Sequence, residues 1–219
     1  MRPVRSACAA GFTLLELIIV IAILAMLAGV LVEATGASVD AQKMRAAPKE
    51  LDEIGKSLDA YYYDHGAFPA SLIAAGFYGA YVFPGFDDNL IKDEWGTKTY
   101  YRYVQTTTNP DCVVVYGLGP DNVDSGPGAE AYKVTVLGAA AGNRRTRERL
   151  QLINAAVTQH IAGGGTLSGP WSTWIAALGL GTSLQTDGFQ TAFRVDSDGR
   201  TLRSAGADRT FDTADDLTF

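Results

Sequence analysis

The N-terminal part of the chain contains an almost uninterrupted apolar run. It extends over 21 residues, from Phe12 to Val32, and contains a single charged residue, Glu16. A helix of this length is about 31 Å long, enough to cross a hydrocarbon core of about 30 Å. Two arginines precede the run, so the positive-inside rule places the N-terminus in the cytoplasm and the following chain outside. The pattern predicts a single-pass transmembrane helix over residues 12–35.

A second pattern of apolar positions follows this run. Apolar side chains recur at steps of three and four residues, which places them on one face of an amphipathic helix. Pro48 lacks an N–H and predicts a kink or a break near residues 44–48. Gly66 and Pro69 predict the end of the helix, because glycine takes a left-handed cap and proline blocks continuation. The apolar positions are Met44, Ala47, Leu51, Ile54, Leu58 and Tyr61.

The second half of the chain repeats the residue pattern of the first half. The spacing between matching residues shortens along the chain from 99 to 92 and then 87 positions, as loop deletions would make it. Each half predicts a helix, a loop, a sheet and an acidic loop, with a seam rich in alanine and glycine over residues 136–143. We therefore predict an α+β protein in which a second α+β unit duplicates the first. The matches are Leu51 with Leu150, Ile54 with Ile153, Leu58 with Val157, Gly66 with Gly165, Gly96 with Gly188, Thr99 with Thr191, Tyr101 with Phe193, Arg102 with Arg194, Gly119 with Gly206, and Asp121 with Asp208.

The charge balance of the chain is acidic. It has 18 basic and 24 acidic residues, and residues 12–219 have 16 basic against 24 acidic residues, a net charge of about −8. A body this acidic argues against nucleic-acid binding, which needs a basic surface. Of the two cysteines, Cys8 lies in the N-terminal stretch before the apolar run. Cys112 is then alone in the rest of the chain, so no intrachain disulfide is expected there.

The sequence contains few residues in patterns typical of catalysis. Two histidines, His65 and His160, are too few for a histidine-based zinc site, and neither falls in an HExxH sequence. There is no Gly-x-Ser-x-Gly nucleophile turn and no glycine-rich phosphate loop of the Walker type. The sequence therefore predicts a structural protein rather than an enzyme.

The apolar run begins with the sequence Gly-Phe-Thr-Leu-Leu-Glu at residues 11–16. A carboxylate inside a membrane segment costs about 2.5–3.5 kcal/mol at the bilayer centre and less near the edge, so it usually has a charged partner. Cleavage after Gly11 would create one, the amino group of a new N-terminal Phe12. The hexapeptide resembles the processing site of type IV prepilins and type II secretion pseudopilins. The alternatives are a plain membrane anchor and an ordinary secretory signal, whose apolar core is shorter, about 7–15 residues, and precedes its cleavage site.

This resemblance implies roles for three residues. In that family, a membrane peptidase cuts after the glycine on the cytoplasmic side and methylates the new terminal amine. Carried over, Gly11 precedes the cleavage site and Phe12 is the methylated terminus. Glu16 is the assembly glutamate, which pairs with Phe12 of a neighbouring subunit in the filament.

Two further segments resemble the major pseudopilins of type II secretion. Residues 61–69, with the sequence Tyr-Tyr-Tyr-Asp-His-Gly-Ala-Phe-Pro, resemble the end of the family's long helix, and residues 93–103 resemble the segment that opens its sheet. The resemblance implies a pilin-like fold, in which a long N-terminal transmembrane helix packs on a small antiparallel sheet. Together with the repeat, it divides the chain into a leader (1–11), a transmembrane and assembly helix (12–35), a first α+β domain (36–135) and a second α+β domain (144–219).

The C-terminal segment, residues 204–217, is rich in aspartate. Four carboxylates fall within nine residues without a nearby lysine, and crowded carboxylates repel unless a cation holds them together. Calcium accepts about 6–8 oxygen ligands in irregular geometry and suits such a loop. The segment resembles the calcium-binding C-terminal loop of type II secretion major pseudopilins. That resemblance implies a calcium ion held by Asp208, Asp215 and Asp216 and by the carbonyls of Leu202 and Ser204; a solvated acidic tail is the alternative.

The family resemblance also implies a function. The chain would be a structural subunit of a type II secretion pseudopilus, a homo-oligomeric filament that also takes up other pseudopilins. Prepilin peptidase would process it, and the inner-membrane assembly platform would build it into the filament. It would be a single-pass protein of the bacterial inner membrane with its C-terminal region in the periplasm. Two alternatives stay open: a major or minor subunit of a type IV pilus or DNA-uptake filament, and a membrane-anchored binding domain with a prepilin leader.

Overall fold

The computed structural model of the chain describes residues 14–82, 91–95 and 100–219; the side chains of residues 29–37 are not among those described. The chain divides into two compact units, residues 1–45 and residues 46–219. In the part of the chain that the structure describes, no helix combines the length and the apolar character needed to cross a membrane.

The first described element is helix α1, Leu14–His65, which has 52 residues. It ends where the sequence predicts: Gly66 takes a φ of 70°, and its N–H donates to the Tyr62 carbonyl at 2.6 Å. The helix continues through Pro48, so the predicted break is absent. Ala47 and Leu51 are buried on either side of the proline, and this burial offsets the lost backbone hydrogen bond.

The amphipathic stripe of α1 is confirmed, and it packs on a three-stranded antiparallel sheet. Leu51, Ile54 and Leu58 are at most 2 % exposed, whereas Met44 at the start of the stripe is exposed. The sheet has the order β1-β2-β3, with β1 at Arg102–Thr108, β2 at Asp111–Tyr116 and β3 at Lys133–Leu137. Other buried residues of this core are Leu72, Phe77, Val82, Ile91, Tyr101, Val113, Val115 and Val136.

The second half of the chain builds a second helix and a second small sheet. Leu150, Ile153 and Val157 form the predicted buried stripe on the long helix α2. Their neighbours in this core include Trp171, Phe193 and Leu202. The elements are α2 (Gly138–Ala162), α3 (Ser172–Ala177), a 3-10 turn (Thr182–Leu184), and the antiparallel strands β4 (Arg194–Val195), β5 (Leu202–Ser204) and β6 (Leu217–Thr218), in the order β4-β5-β6.

A third apolar cluster joins the two halves within residues 46–219. Its buried members are Tyr62 from α1, Ala141 from α2, and Phe189 and Ala207 from the second half. The rings of Tyr62 and Phe189 lie edge to face, with centroids 6.4 Å apart. An α+β fold with an N-terminal helix and small antiparallel sheets is therefore confirmed. The duplication and the domain boundaries stay predictions.

Glu50 on α1 predicts a pH dependence of stability. Burial raises the pKa of Glu50 to about 7, and the nearby Glu94 adds to the rise, although a hydrogen bond from the Tyr101 hydroxyl at 2.8 Å opposes it. The folded state therefore binds this proton more tightly than the unfolded state, so the free energy of unfolding falls as pH rises from about 4.5 to about 7. Glu50→Gln is expected to raise the melting temperature at about pH 8 more than at about pH 5, as measured by differential scanning calorimetry.

The matched control for this change is Asp121→Asn. Asp121 is exposed, and an asparagine side chain can still accept the N–H of Val123 that Asp121 accepts at 3.2 Å. The control should shift the melting temperature equally at both pH values. A constant shift for Glu50→Gln as well would contradict the raised pKa.

Candidate assembly surface and C-terminal loop

The first turns of α1 present apolar side chains to solvent in every direction. Eleven large apolar residues between Leu14 and Leu27 are 45–77 % exposed. Successive residues of a helix point about 100° apart, so these side chains cover all faces of the helix. A helix that is apolar all round is normally covered by lipid or by other helices. This segment is therefore the candidate assembly surface of the chain.

Glu16 is the one charged side chain within this apolar segment. It lies in the first turn of α1, where the positive end of the helix dipole favours a carboxylate. The structure thus places the predicted assembly glutamate at the start of the exposed apolar surface. Gly11 and Phe12, the predicted cleavage and methylation positions, lie outside the described residues, and so does the predicted leader.

The two predicted carbonyl ligands of calcium lie in strand β5. Leu202 and Ser204 are both fully buried. The Ser204 hydroxyl donates to the Asp187 carboxylate at 2.6 Å, and that carboxylate also accepts the backbone N–H groups of Phe189 and Thr191, each at 2.9 Å. Burial raises the pKa of Asp187, and these hydrogen bonds to its carboxylate oppose the rise. This network ties β5 to the preceding loop.

The three predicted carboxylate ligands lie in the loop between β5 and β6. Asp215 accepts the N–H of Asp208 at 3.0 Å and the hydroxyl of Thr213 at 2.7 Å. Burial alone would raise the pKa of Asp215, but these hydrogen bonds outweigh it and lower the pKa. The Asp208 carboxylate turns back to accept the N–H of Thr210 at 2.8 Å. Asp216 accepts the N–H of Asp212 at 2.8 Å.

The predicted calcium ligands Asp208, Asp215 and Asp216 thus all accept hydrogen bonds from other groups of the protein. Among the described residues, no three acidic, histidine or cysteine side chains come together as a metal-binding group. The carboxylates of Asp208, Asp215 and Asp216 each accept a backbone N–H, and the Thr213 hydroxyl lies 2.7 Å from Asp215 and 3.4 Å from Asp216. The described arrangement does not fit an assembled calcium site, and calcium binding stays a prediction.

Comparison with protein families identifies the N-terminal segment. Residues 7–32 match the prokaryotic N-terminal methylation motif, and the match includes Gly11, Phe12 and Glu16. The chain carries a type IV pilin-like N-terminus. The motif supports processing by prepilin peptidase, a membrane-anchored N-terminus and assembly into a pilin-like filament. Comparison with curated proteins and with solved structures finds no match.

The arginines that contact the C-terminal loop were not among the residues predicted from the sequence. Only nearby lysines were considered in that prediction, whereas the fold brings Arg194 from β4 and Arg203 from β5 to the loop carboxylates. A third arginine, Arg209, lies in the loop itself. The alternation Arg-Val-Asp at residues 194–196 was the available signal, since it places an arginine and an aspartate on the same face of a strand.

Arg209 connects the C-terminal loop to the first half of the chain. Its guanidinium donates to the Asp111 carboxylate at 2.6 Å and to the Thr108 carbonyl at 2.8 Å. The same Asp111 oxygen accepts the hydroxyl of the buried Tyr62 at 2.6 Å. Burial raises the pKa of Tyr62, and the bond to Asp111 raises it further. The loop is thus fixed to α1 and to the start of β2.

Proposed function

We propose that this chain is a structural subunit of a type II secretion pseudopilus, anchored in the inner membrane with its C-terminal region in the periplasm. The observation that carries the proposal is the exposed apolar segment of α1 between Leu14 and Leu27, with Glu16 at its start. The methylation motif over residues 7–32 supports the same conclusion. An isolated chain could not keep so much apolar surface in water without association.

In this proposal the apolar segments of neighbouring subunits pack together at the filament centre. Glu16 of one subunit pairs with the amine of Phe12 on the next, which offsets the cost of a carboxylate in apolar surroundings. Other pseudopilins join the same filament, and the inner-membrane platform assembles it. The chain performs no bond chemistry itself, because the peptidase processes it and other components drive assembly.

The secretion role is favoured by two segments that resemble major pseudopilins. The string over residues 61–69 forms the C-terminal end of α1 and the turn after it, and the acidic segment forms the loop between β5 and β6. A subunit of a type IV pilus or DNA-uptake filament is the second candidate. The additional helix and sheet over residues 138–219 favour it, because an enlarged head suits a minor or terminal subunit.

Glu16→Leu tests whether the chain works as a filament subunit. Replacing the carboxylate leaves the amine of the neighbouring subunit without a counter-charge. We therefore expect filament yield to fall at least about tenfold, which corresponds to a loss of about 1.4 kcal/mol or more of assembly free energy. Filaments are measured by electron microscopy and sedimentation in a strain that produces the full chain. Mass spectrometry of the mature N-terminus confirms that the variant is still processed.

The matched control is Glu53→Leu, the same substitution at an exposed position of α1. It should leave filament yield unchanged. Processed Glu16→Leu protein that assembles as well as the parent would refute the filament proposal. In the same strains, loss of protein export without loss of surface pili supports the pseudopilus, and the reverse result supports the pilus.

A further inference from the structure

The loops that follow β2 and β5 have the same backbone construction. Gly119 and Gly206 take φ values of 73° and 66°, and Asn122 and Arg209, three residues later, take 54° and 56°. In each loop the later residue donates its N–H to the glycine carbonyl, at 3.2 Å in the first half and 3.3 Å in the second. The matching residues are 87 positions apart, the spacing found in the sequence.

The two loops also contact their sheets in the same way. Arg102 in β1 is paired with Tyr116 in β2, and Arg194 in β4 is paired with Arg203 in β5. The two pairs match in sequence, because Arg194 lies 92 positions after Arg102 and Arg203 lies 87 positions after Tyr116. Arg102 pairs with a carboxylate of its loop, Asp124, at 3.4 Å. The corresponding pair in the second half joins Arg194 to Asp212, with two hydrogen bonds of 2.6 and 3.0 Å.

A second carboxylate in each loop closes that loop, in the sense that it accepts a backbone N–H from another residue of the same loop. In the first half, Glu130 accepts the N–H of Ser125 at 2.7 Å; in the second half, Asp216 accepts the N–H of Asp212 at 2.8 Å. Both carboxylates are buried or nearly so: Glu130 is 7 % exposed, and the side chain of Asp216 is 5 % exposed. A buried carboxylate needs a compensating donor or cation.

In the second half, the guanidinium of Arg203 is the cation beside the nearly buried Asp216. Arg203 lies 3.4 Å from Asp216 and makes two-point contact with Asp196, at 2.8 Å for its closest atoms. Arg194 and Arg203 are direct cross-strand partners, and like charges in such positions destabilise a sheet unless carboxylates lie between them. Asp196 and Asp212 provide that compensation, since each pairs with an arginine of the sheet.

We propose that arginines of the sheet strands, in place of a calcium ion, close the loop between β5 and β6, and that Arg102 closes the corresponding first-half loop in the same manner. A divalent cation at Asp216 would lie beside the Arg203 guanidinium, which is 3.4 Å from that carboxylate and would repel the cation. The arginines supply the opposite charge that a metal would otherwise supply, and they form directed hydrogen bonds to the carboxylates. This assignment is independent of whether the filament serves secretion or a pilus.

Thermal unfolding of the full chain in detergent, with excess EGTA or with millimolar calcium chloride, tests the assignment. The parent protein should melt at the same temperature under both conditions. Arg203→Met should lower the melting temperature by about 4–8 °C, because it leaves the nearly buried Asp216 without its cation and removes the closer of the two arginines that pair with Asp196. The control Arg147→Met changes an exposed arginine of α2 that has no ion pair among the described residues, and it should leave the melting temperature unchanged.

A calorimetric titration of calcium chloride into the unaltered full chain gives a second measurement that does not depend on a variant folding. Absence of saturable binding supports closure by arginine. Saturable binding of calcium to the unaltered chain would overturn it, as would a parent protein that calcium stabilises and EGTA destabilises. An Arg203→Met protein as stable as the Arg147→Met control would overturn it as well.

Discussion

Gly188→Ala is expected to destabilise the protein by about 3 kcal/mol or more. A Cβ atom at this position would lie 2.1 Å from the carbonyl oxygen of Gly142 and 2.9 Å from the hydroxyl of Thr146. The first of these atoms belongs to the backbone of α2, which cannot turn away as a flexible side chain could. The Gly188 N–H also donates to Thr146 at 2.9 Å, so a shift of the loop would break a buried hydrogen bond.

The measurement is thermal unfolding of the full chain in detergent. A loss of about 3 kcal/mol corresponds to a fall in melting temperature of roughly 6–12 °C for a chain of this size. Gly128→Ala is the matched control, since nothing lies within 4 Å of its added methyl group. The control is expected to stay within about 0.5 kcal/mol of the parent. Equal melting temperatures for the two variants would show that the loop at Gly188 does not pack against α2 as closely as the structure indicates.

The periodicity of the sequence was sufficient to predict the helices and their buried faces. Leu51, Ile54 and Leu58 recur at helical spacing, and all three are buried. Of the kink or break predicted near residues 44–48, the break is wrong, because the proline rule is local and tertiary contacts dominate at this position. The free energy lost with one backbone hydrogen bond is smaller than the free energy gained by burying the apolar stripe on both sides of the proline.

The contacts between the two halves could not be predicted from periodicity. Gly138 looks like an ordinary helix-start glycine in the sequence, yet a Cβ atom there would come within 2.5 Å of the ring of Tyr62 from the first half. A Cβ atom at Gly66, at the end of α1, would lie 2.8 Å from the carbonyl oxygen of Gly188 in the second half. Such requirements depend on which surfaces meet, and a single sequence contains no signal for that.

The C-terminal loop shows the same limit for the candidate site. Asp208, Asp215 and Asp216 were selected by their density along the chain and by family resemblance, and the structure does place them in one loop. Their charge partners come from strands β4 and β5, which a count of neighbouring lysines does not include. Charge density in a sequence predicts that a cation is needed, but the fold determines which cation is close enough to supply the charge.

Asp111→Ala is expected to cost about 3 kcal/mol and to weaken the connection between the halves. Asp111 is 6 % exposed and accepts hydrogen bonds from both Tyr62 and Arg209, which lies 98 positions later in the chain. Removing it leaves the buried Tyr62 hydroxyl without its acceptor and the Arg209 guanidinium without its carboxylate partner. The Arg209 side chain is 31 % exposed in the folded protein. The expected loss of stability is therefore at the lower end of the range of about 3–5 kcal/mol for broken buried pairs.

A double-mutant cycle identifies the source of this cost. Asp111→Ala and Arg209→Met are measured singly and together by chemical denaturation, and a coupling energy of about 1–3 kcal/mol is expected. Asp59→Ala is the control, because its pair with Arg144 at 3.0 Å is largely exposed and should contribute about 1 kcal/mol or less. Additive effects of the Asp111 and Arg209 changes would mean that the C-terminal loop is stabilised independently of the first half. Coupled effects would mean that order in the loop depends on α1 and β2, so that any change that loosens the loop also loosens the packing of the two halves.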